Sequence, residues 1–291
     1  MTGSAADADD IVQETFVRAL ERPPARTDVP WRPWLVRVAM NLGRDLLRRR
    51  RRRRYVGPWL PSPIETGEEE SPPSVEPEEV AFPSTEGRYD LLESVSYAFL
   101  LALEALTPRQ RAVLLLRDVF DYSVRETADA LDVSEASVKT THHRARRAMG
   151  AYDRARCVPT RSLQERTRHT LERFLEVLVR GDTTAIESLL AEPVRALSDG
   201  GGEFHAARVP VVGRAKVARF YANIARRRGP DTRFEVRMLN GLPALVITFG
   251  TGVAGEARSL VTRIDVDATG RIDRLYSVLA SRKLTAVRAA K

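Results

Sequence analysis

Apolar residues along the first half of the chain recur at three- and four-residue intervals. Ile11, Val12, Thr15, Phe16, Ala19 and Leu20 follow Asp7, Asp9, Asp10 and Glu14, the pattern of an amphipathic helix with acids in its first turns, where the macrodipole favours them. Pro23 and Pro24 end it. A second helix places Trp34, Leu35, Val38, Leu42 and Leu46 on one face and Arg37, Arg44 and Arg48 off it. It runs into seven consecutive arginines, Arg48 to Arg54. Trp31 and Trp34 beside them read either as core anchors or as stacking platforms for bases. Leu91, Leu92, Val95, Phe99, Leu103 and Leu106 form a third stripe. Thr107-Pro108-Arg109-Gln110 then supplies a cap, a proline at the first helical position and a capping box. Ser123 and Glu126 form a second box, opening a short helix that ends at Leu131. Asp132-Val133 makes a tight turn, Asp tolerating the left-handed conformation, and Ser134 caps a longer helix through Met149.

This is helix-turn-helix spacing, with Val133 and Val138 directed to the core. Glu135, Ser137, Lys139, Thr140, His143, Arg144 and Arg147 are left facing outward, hydroxyls near the N-terminus and cations near the C-terminus. A recognition helix puts its N-terminal side chains on base edges, while arginines take bases or phosphates. A plain two-helix hairpin shares the caps and the apolar stripe; the short turn and basic outer face favour DNA. His142 and His143 diverge on a helix and do not make a metal pair.

Beyond residue 160 the pattern changes. Residues 163–178 form an amphipathic helix with Leu171, Phe174, Leu175 and Leu178 inward, and residues 184–190 a short helix. Strands are expected at 194–197 and 204–211 around Ser198-Asp199-Gly200-Gly201-Gly202, a helix at 216–225, and strands at 233–239, 244–249, 258–266 and 272–279. Turns at Asn240-Gly241 and Thr269-Gly270 imply an antiparallel sheet in an α+β domain.

Charge divides the chain further. Residues 1–60 carry 13 Arg against 7 acids, whereas residues 61–104 carry Arg88 alone against 11 acids. Residues 105–157 carry 10 basic and 7 acidic residues, and the whole chain is +8. Seven prolines lie between residues 56 and 87, so the acidic stretch reads as an extended linker that cannot bury a core. It is either a plain spacer or a competitor with DNA for the basic modules. Seven adjacent arginines weaken an isolated helix but suit a polyanion, whose neutralised phosphates release counterions. The 291 residues suit two or three domains. No run of about 18 apolar residues exists. No signal peptide is visible, and the single cysteine, Cys157, excludes an internal disulfide. The expected compartment is the cytoplasm, with no metal and no cofactor.

Asp7-Ala8-Asp9-Asp10-Ile11-Val12-Gln13-Glu14-Thr15-Phe16 resembles the region 2.2 helix of bacterial extracytoplasmic-function (ECF) sigma factors. The resemblance implies docking on core RNA polymerase through Asp7, Asp10, Gln13, Glu14 and Phe16. Residues 34–42 and Asp45-Leu46-Leu47-Arg48 are similar to regions 2.3 and 2.4, implying that Asn41, Arg44, Asp45, Arg48 and Arg49 meet the −10 element. Leu106-Thr107-Pro108-Arg109-Gln110-Arg111, with Val138-Lys139 and His143-Arg144-Ala145-Arg146, resembles region 4. It implies −35 contacts by Ser134, Ser137, Lys139, Thr140, His143, Arg144 and Arg147 of promoter DNA. Thr141 and His142 depart from the residues common there. Met1 to Ser4 resemble the loop after the first helix of region 2, so either the start is misassigned or that region is shortened at its front.

The last domain resembles the SnoaL-like, NTF2-like cone, a curved sheet wrapping helices around a pocket, and Tyr55-Val56-Gly57-Pro58-Trp59-Leu60-Pro61 looks like the linker start of the sigma subgroup carrying it. In that subgroup an Asp-Gly-Gly motif, here Asp199, Gly200 and Gly201, is implied to make a regulatory contact with the linker or the sigma domains. Near the end, Ala280-Ser281-Arg282-Lys283-Leu284 keeps the Lys-Leu of a second subgroup motif. Acid/base candidates for a cone enzyme are Asp199, His205 and Asp265, with the plainer readings of a turn, a solvent face and a strand end. The expectation is a multi-domain chain: two all-α sigma modules plus an α+β NTF2-like cone. Its parts are region 2 at 1–55, the acidic linker at 56–88, region 4 at 89–157 and the cone at 163–291. It is expected to direct initiation and to catalyse nothing itself, with any pocket ligand unnamed. The alternatives are a plain helix-turn-helix regulator, and a SnoaL-like enzyme or ligand sensor fused to one.

Overall fold

The computed structural model describes residues 1–24, 28, 30–52, 55–66, 96–154, 157–227, 229, 231–250 and 255–288. Most of the acidic linker, Leu91, Leu92 and Val95, and Arg53 and Arg54 lie outside them. The chain divides into two compact units, Met1–Arg54 with Pro72–Val158, and Tyr55–Ser71 with Pro159–Lys291.

In the first unit, α1 (Ala5–Glu21) starts at Ser4, whose side chain accepts from the Asp7 N–H. Thr15 and Ala19 are its buried residues. Helix α2 (Arg32–Arg52) does not bury the stripe expected of it: Trp34, Leu35, Val38, Leu42 and Leu46 are only half-buried. Met40, Gly43 and Leu47 face inward instead. The cause is that α2 packs on α1 and also on the helices of the second half of the unit, so its apolar surface is shared between neighbours. Trp31 is exposed and Trp34 half-buried, and neither is a core anchor.

Helices α3 (Tyr97–Leu103), α4 (Pro108–Asp118), α5 (Val124–Leu131) and α6 (Glu135–Arg154) follow. Both expected capping boxes form, Thr107 with Gln110 and Ser123 with Glu126. Asp132 takes the left-handed conformation (φ 53°, ψ 58°) between α5 and α6. One core joins Phe99, Leu103, Leu106, Leu114, Ala145 and Met149, with Tyr152 edge-to-face on Phe99 at 5.5 Å. A second joins Met40 of α2 to Val113, Leu116, Ala128, Leu131 and Val138. Burying such side chains stabilises by about 1.5–3 kcal/mol each.

In the second unit, α7 (Arg161–Arg180) ends at Gly181 in the left-handed region, and Asp182 caps α8 (Thr183–Ser188). Strands β1 (Leu190–Asp199), β2 (Val211–Val212), β3 (Arg233–Leu239), β4 (Leu242–Thr248), β5 (Ser259–Val266) and β6 (Ile272–Val278) form one sheet in the order β2-β1-β6-β5-β4-β3. Helix α9 (Arg214–Arg226) lies between β2 and β3 in sequence. This is the α+β cone, with two differences from expectation. The interior pair β1–β6 is parallel, the other pairs antiparallel. The strand expected at 204–211 shrinks to β2, because the Phe204 N–H closes a turn onto the Gly200 carbonyl and Pro210 has no N–H to offer a ladder.

The start of the expected linker also differs. Leu60 is fully buried in this unit, and Pro61, Ser62 and Pro63 are buried with it. Ile64 and Asn240 exchange two hydrogen bonds, Thr66 N–H donates to the Met238 carbonyl, and Glu65 bridges Leu239. Prolines fit here because they need no partner for an N–H they lack.

Candidate functional site

Helix α6 owes its orientation to Val138, Ala145 and Met149, which are buried. Lys139, Thr140, His143, Arg144 and Arg147 on the other side are exposed, as is Ser134, whose hydroxyl accepts from the Ser137 N–H at 3.3 Å. Ser137 Oγ in turn accepts from Arg109 at 2.5 Å, and the Thr140 hydroxyl donates to the Ala136 carbonyl. Beneath this face sits a tie that the sequence did not reveal. The buried Asp118 carboxylate meets His142 Nε2 at 2.8 Å and Arg146 Nη2 at 2.7 Å. Burial opposes its ionisation, but the hydrogen bonds and charges of His142 and Arg146 together outweigh burial and hold the carboxyl below its ordinary range. His142 therefore serves the fold of the helix pair.

On α2 the cations are unequal. Arg48 pairs with Asp45 at 3.1 Å on the surface, and Arg49 is exposed. Arg44 Nη1 donates to Asn41 Oδ1 at 3.2 Å and reaches the Leu131 carbonyl at 3.5 Å. Burial first, then the charges of Arg48 and Arg109, press the Arg44 pKa below its usual value, the mark of crowded cations. The run of arginines is not one uniform outward face. Arg50 binds Glu104 at 3.0 Å and the Thr2 carbonyl at 2.9 Å, and Arg51 the Leu106 carbonyl at 3.2 Å.

Helix α1 buries little of its apolar surface. Val12, Phe16 and Val17 are about half exposed and Leu20 is 85% exposed. Asp10, Gln13 and Glu14 are exposed around them, and Asp7 is half-buried. Together these residues make an exposed apolar patch with an acidic edge.

In the cone, Asp199 ends β1 with no exposed surface. Its Oδ1 accepts from the Tyr55 hydroxyl (2.5 Å) and the Gly201 N–H (3.0 Å), and its Oδ2 from the Leu60 N–H (2.8 Å) and Lys283 Nζ. Lys283 Nζ also donates to the Leu60 carbonyl at 2.6 Å and stands 3.1 Å from the Trp59 ring centroid, a cation–π contact. A Cβ on Gly200 would lie 2.6 Å from the Phe204 carbonyl, and one on Gly201 2.8 Å from the Ala280 Cβ with φ at 64°. Only glycine fits both positions. Of the acid/base candidates, His205 alone lines the cone's cavity; Asp199 and Asp265 do not. No group of His, Cys, Asp or Glu that could hold a metal is found among the described residues. None of the described helices is long and apolar enough to cross a membrane.

Residues 1–53 match the family described as Sigma-70 region 2, and residues 96–149 match Sigma-70, region 4. ECF RNA polymerase sigma factor SigJ of Mycobacterium tuberculosis (strain ATCC 25618 / H37Rv) is 32% identical over 98% of this chain and 88% of its own length. The chain belongs to the ECF RNA polymerase sigma factors. The probable sigma factor SigI of M. tuberculosis (strain CDC 1551 / Oshkosh) is 27% identical over 99% of this chain and 90% of its own. A crystal structure of M. tuberculosis SigJ shares 28% identity and a TM-score of 0.68, covering 98% of this chain and 92% of that one. This sigma factor therefore carries its cone within the same architecture as SigJ. Its task is to direct RNA polymerase to promoters.

Proposed function

We propose that this sigma factor works through four residue sets. Asp7, Asp10, Gln13, Glu14 and Phe16 on α1 dock on core RNA polymerase, with Val12 and Leu20 adding apolar area. Helix α6 enters the −35 major groove, using Ser134, Ser137, Lys139, Thr140, His143, Arg144 and Arg147. Asn41, Arg44, Asp45, Arg48 and Arg49 hold the melted −10 strand, where the crowding of Arg44, Arg48 and Arg109 is relieved by phosphate. Asp199, Gly200 and Gly201 make a regulatory contact by holding the segment that starts at Tyr55. The work is done in the cytoplasm, where the polymerase acts. The observation that carries the reading is the division of α6. Every cation of its expected DNA face is solvent-exposed, while Val138, Ala145 and Met149 anchor the opposite side.

The test is run-off transcription with purified core polymerase, comparing the full chain with one cut near Gln164. Initiation from a cognate promoter is expected. Arg144→Ala should weaken promoter binding and lower the salt slope by about 1. Phe16→Ala with Leu20→Asp should abolish polymerase binding without lowering the melting temperature, since both side chains are exposed. Failure of both chains to initiate at any promoter overturns the reading.

A further inference from the structure

Strand alternation decides what the helix-facing side of the sheet presents. Ala196, Leu275, Leu260, Ile264, Leu245 and Ile247 from β1, β6, β5 and β4 all join the cone's apolar core. Into this surface the register sets a polar row, with Ser198 opposite Ser277 and Ser277 opposite Thr262. Tyr221 of α9 completes it. Its hydroxyl is 3.1 Å from Ser277 Oγ, which is 3.0 Å from Thr262 Oγ1. All four residues are buried and line a cavity of about 680 Å³ whose walls include Phe174, Leu178, Phe220 and Phe234. The ionisable lining residues His205, Glu256 and Arg227 are exposed or half-exposed, so among the described residues no charged side chain is buried in the interior.

The hydroxyl chain has protons to spare. Three O–H groups make two hydrogen bonds between them, which leaves one O–H of the three unused whichever way the chain is ordered. Ser198 lines the same cavity and makes no side-chain hydrogen bond among the described residues. A buried donor without an acceptor is costly, and an acceptor brought by a guest removes that cost. Burial, partly offset by the Ser277 hydrogen bond, pushes the Tyr221 phenol up to about 12, so it stays neutral and can donate at pH 7. An anion or cation entering here meets no buried counter-charge among the described residues and gives up its hydration.

We propose that this cavity is a binding site for a neutral, largely apolar ring compound. Its carbonyl or hydroxyl oxygen accepts from the row formed by Tyr221, Ser277, Thr262 and Ser198. The volume lies in the range that encloses drug-sized molecules. Binding here is independent of polymerase or promoter, so its test stands apart from the reading above.

The test titrates the full-length protein with prodan, a neutral naphthyl ketone whose emission shifts to the blue in apolar surroundings. Saturable binding at one site per chain is expected, displaced by acetonaphthone and not by naphthoate. Tyr221→Phe and Ser277→Ala should each weaken it about 3- to 10-fold by loss of one hydrogen bond. Leu245→Trp should fill the cavity and abolish binding; if that variant does not melt cooperatively, Ala225→Phe serves instead. Leu20→Asp, on the exposed apolar face of α1, should leave binding unchanged. The proposal is overturned by absence of saturable binding, by equal displacement with naphthoate, by full affinity in a folded cavity-filling variant, or by loss in Leu20→Asp.

Discussion

A single carboxylate organises the clasp on the cone. Asp199 has four donors, and only Gly201 is a near neighbour in sequence; Tyr55 is 144 residues away and Lys283 is 84. Lys283→Ala should leave a buried, uncompensated carboxylate and cost about 3–5 kcal/mol. Urea unfolding measures that loss, and chymotrypsin should then cut at Tyr55 and Trp59. Lys283→Met with Asp199→Asn should recover part of it, because neither charge is left alone. Asp118 gives a pH-dependent counterpart. Its carboxyl is depressed in the folded state, so its stabilising effect is complete above the unfolded value of about 4 and disappears as pH falls through the lower folded one. The melting temperature of the helical unit should drop in that acid window, and Asp118→Asn should flatten the drop. Sequence could pick out Asp199 beside its glycines and the Lys-Leu pair, but not their pairing. Nothing local links Asp118 to His142 either, which reads as a recognition-helix departure until the packing is seen.

At the scale of elements, features governed by neighbours in sequence were legible. Both capping boxes, the left-handed Asp132 and the α5–α6 turn depend on residues within four positions of each other. Thr107→Ala should therefore cost about 1 kcal/mol, read from denaturant midpoints. Features set by distant partners were not legible. The alternation over 204–211 suits a strand, yet the backbone there is spent on the turn at Gly200. The stripe on α2 predicted one buried face, and two sets of neighbours moved burial to Met40 and Leu47. The hydroxyl row was invisible because Ser198, Thr262 and Ser277 become adjacent only once β1, β6 and β5 are known to be neighbours. The outer face of α6 needed only helical periodicity: Glu135, Lys139, Thr140, His143, Arg144 and Arg147 are exposed as expected, while Ser137 is half-buried.

The helical unit as a whole places α2 and the helix-turn-helix around one core through Met40. On the proposed reading, in which α2 and α6 hold separate promoter elements, this shared core is expected to open on promoter engagement. Met40→Glu should make opening easier. Hydrogen exchange over α5, residues 124–131, should quicken while the pairing of α4 with α6 keeps its protection.

The order of manufacture on the ribosome follows from where the clasp closes. Strand β1 has no parallel neighbour until β6 is made, and Asp199 has no cation until Lys283 emerges. Both helical modules are by then long out of the exit tunnel. A nascent or C-terminally nicked copy thus lacks the lysine that ties Asp199 to the Leu60 carbonyl, and the age and intactness of each molecule decide whether the stretch from Tyr55 to Leu60 is fastened.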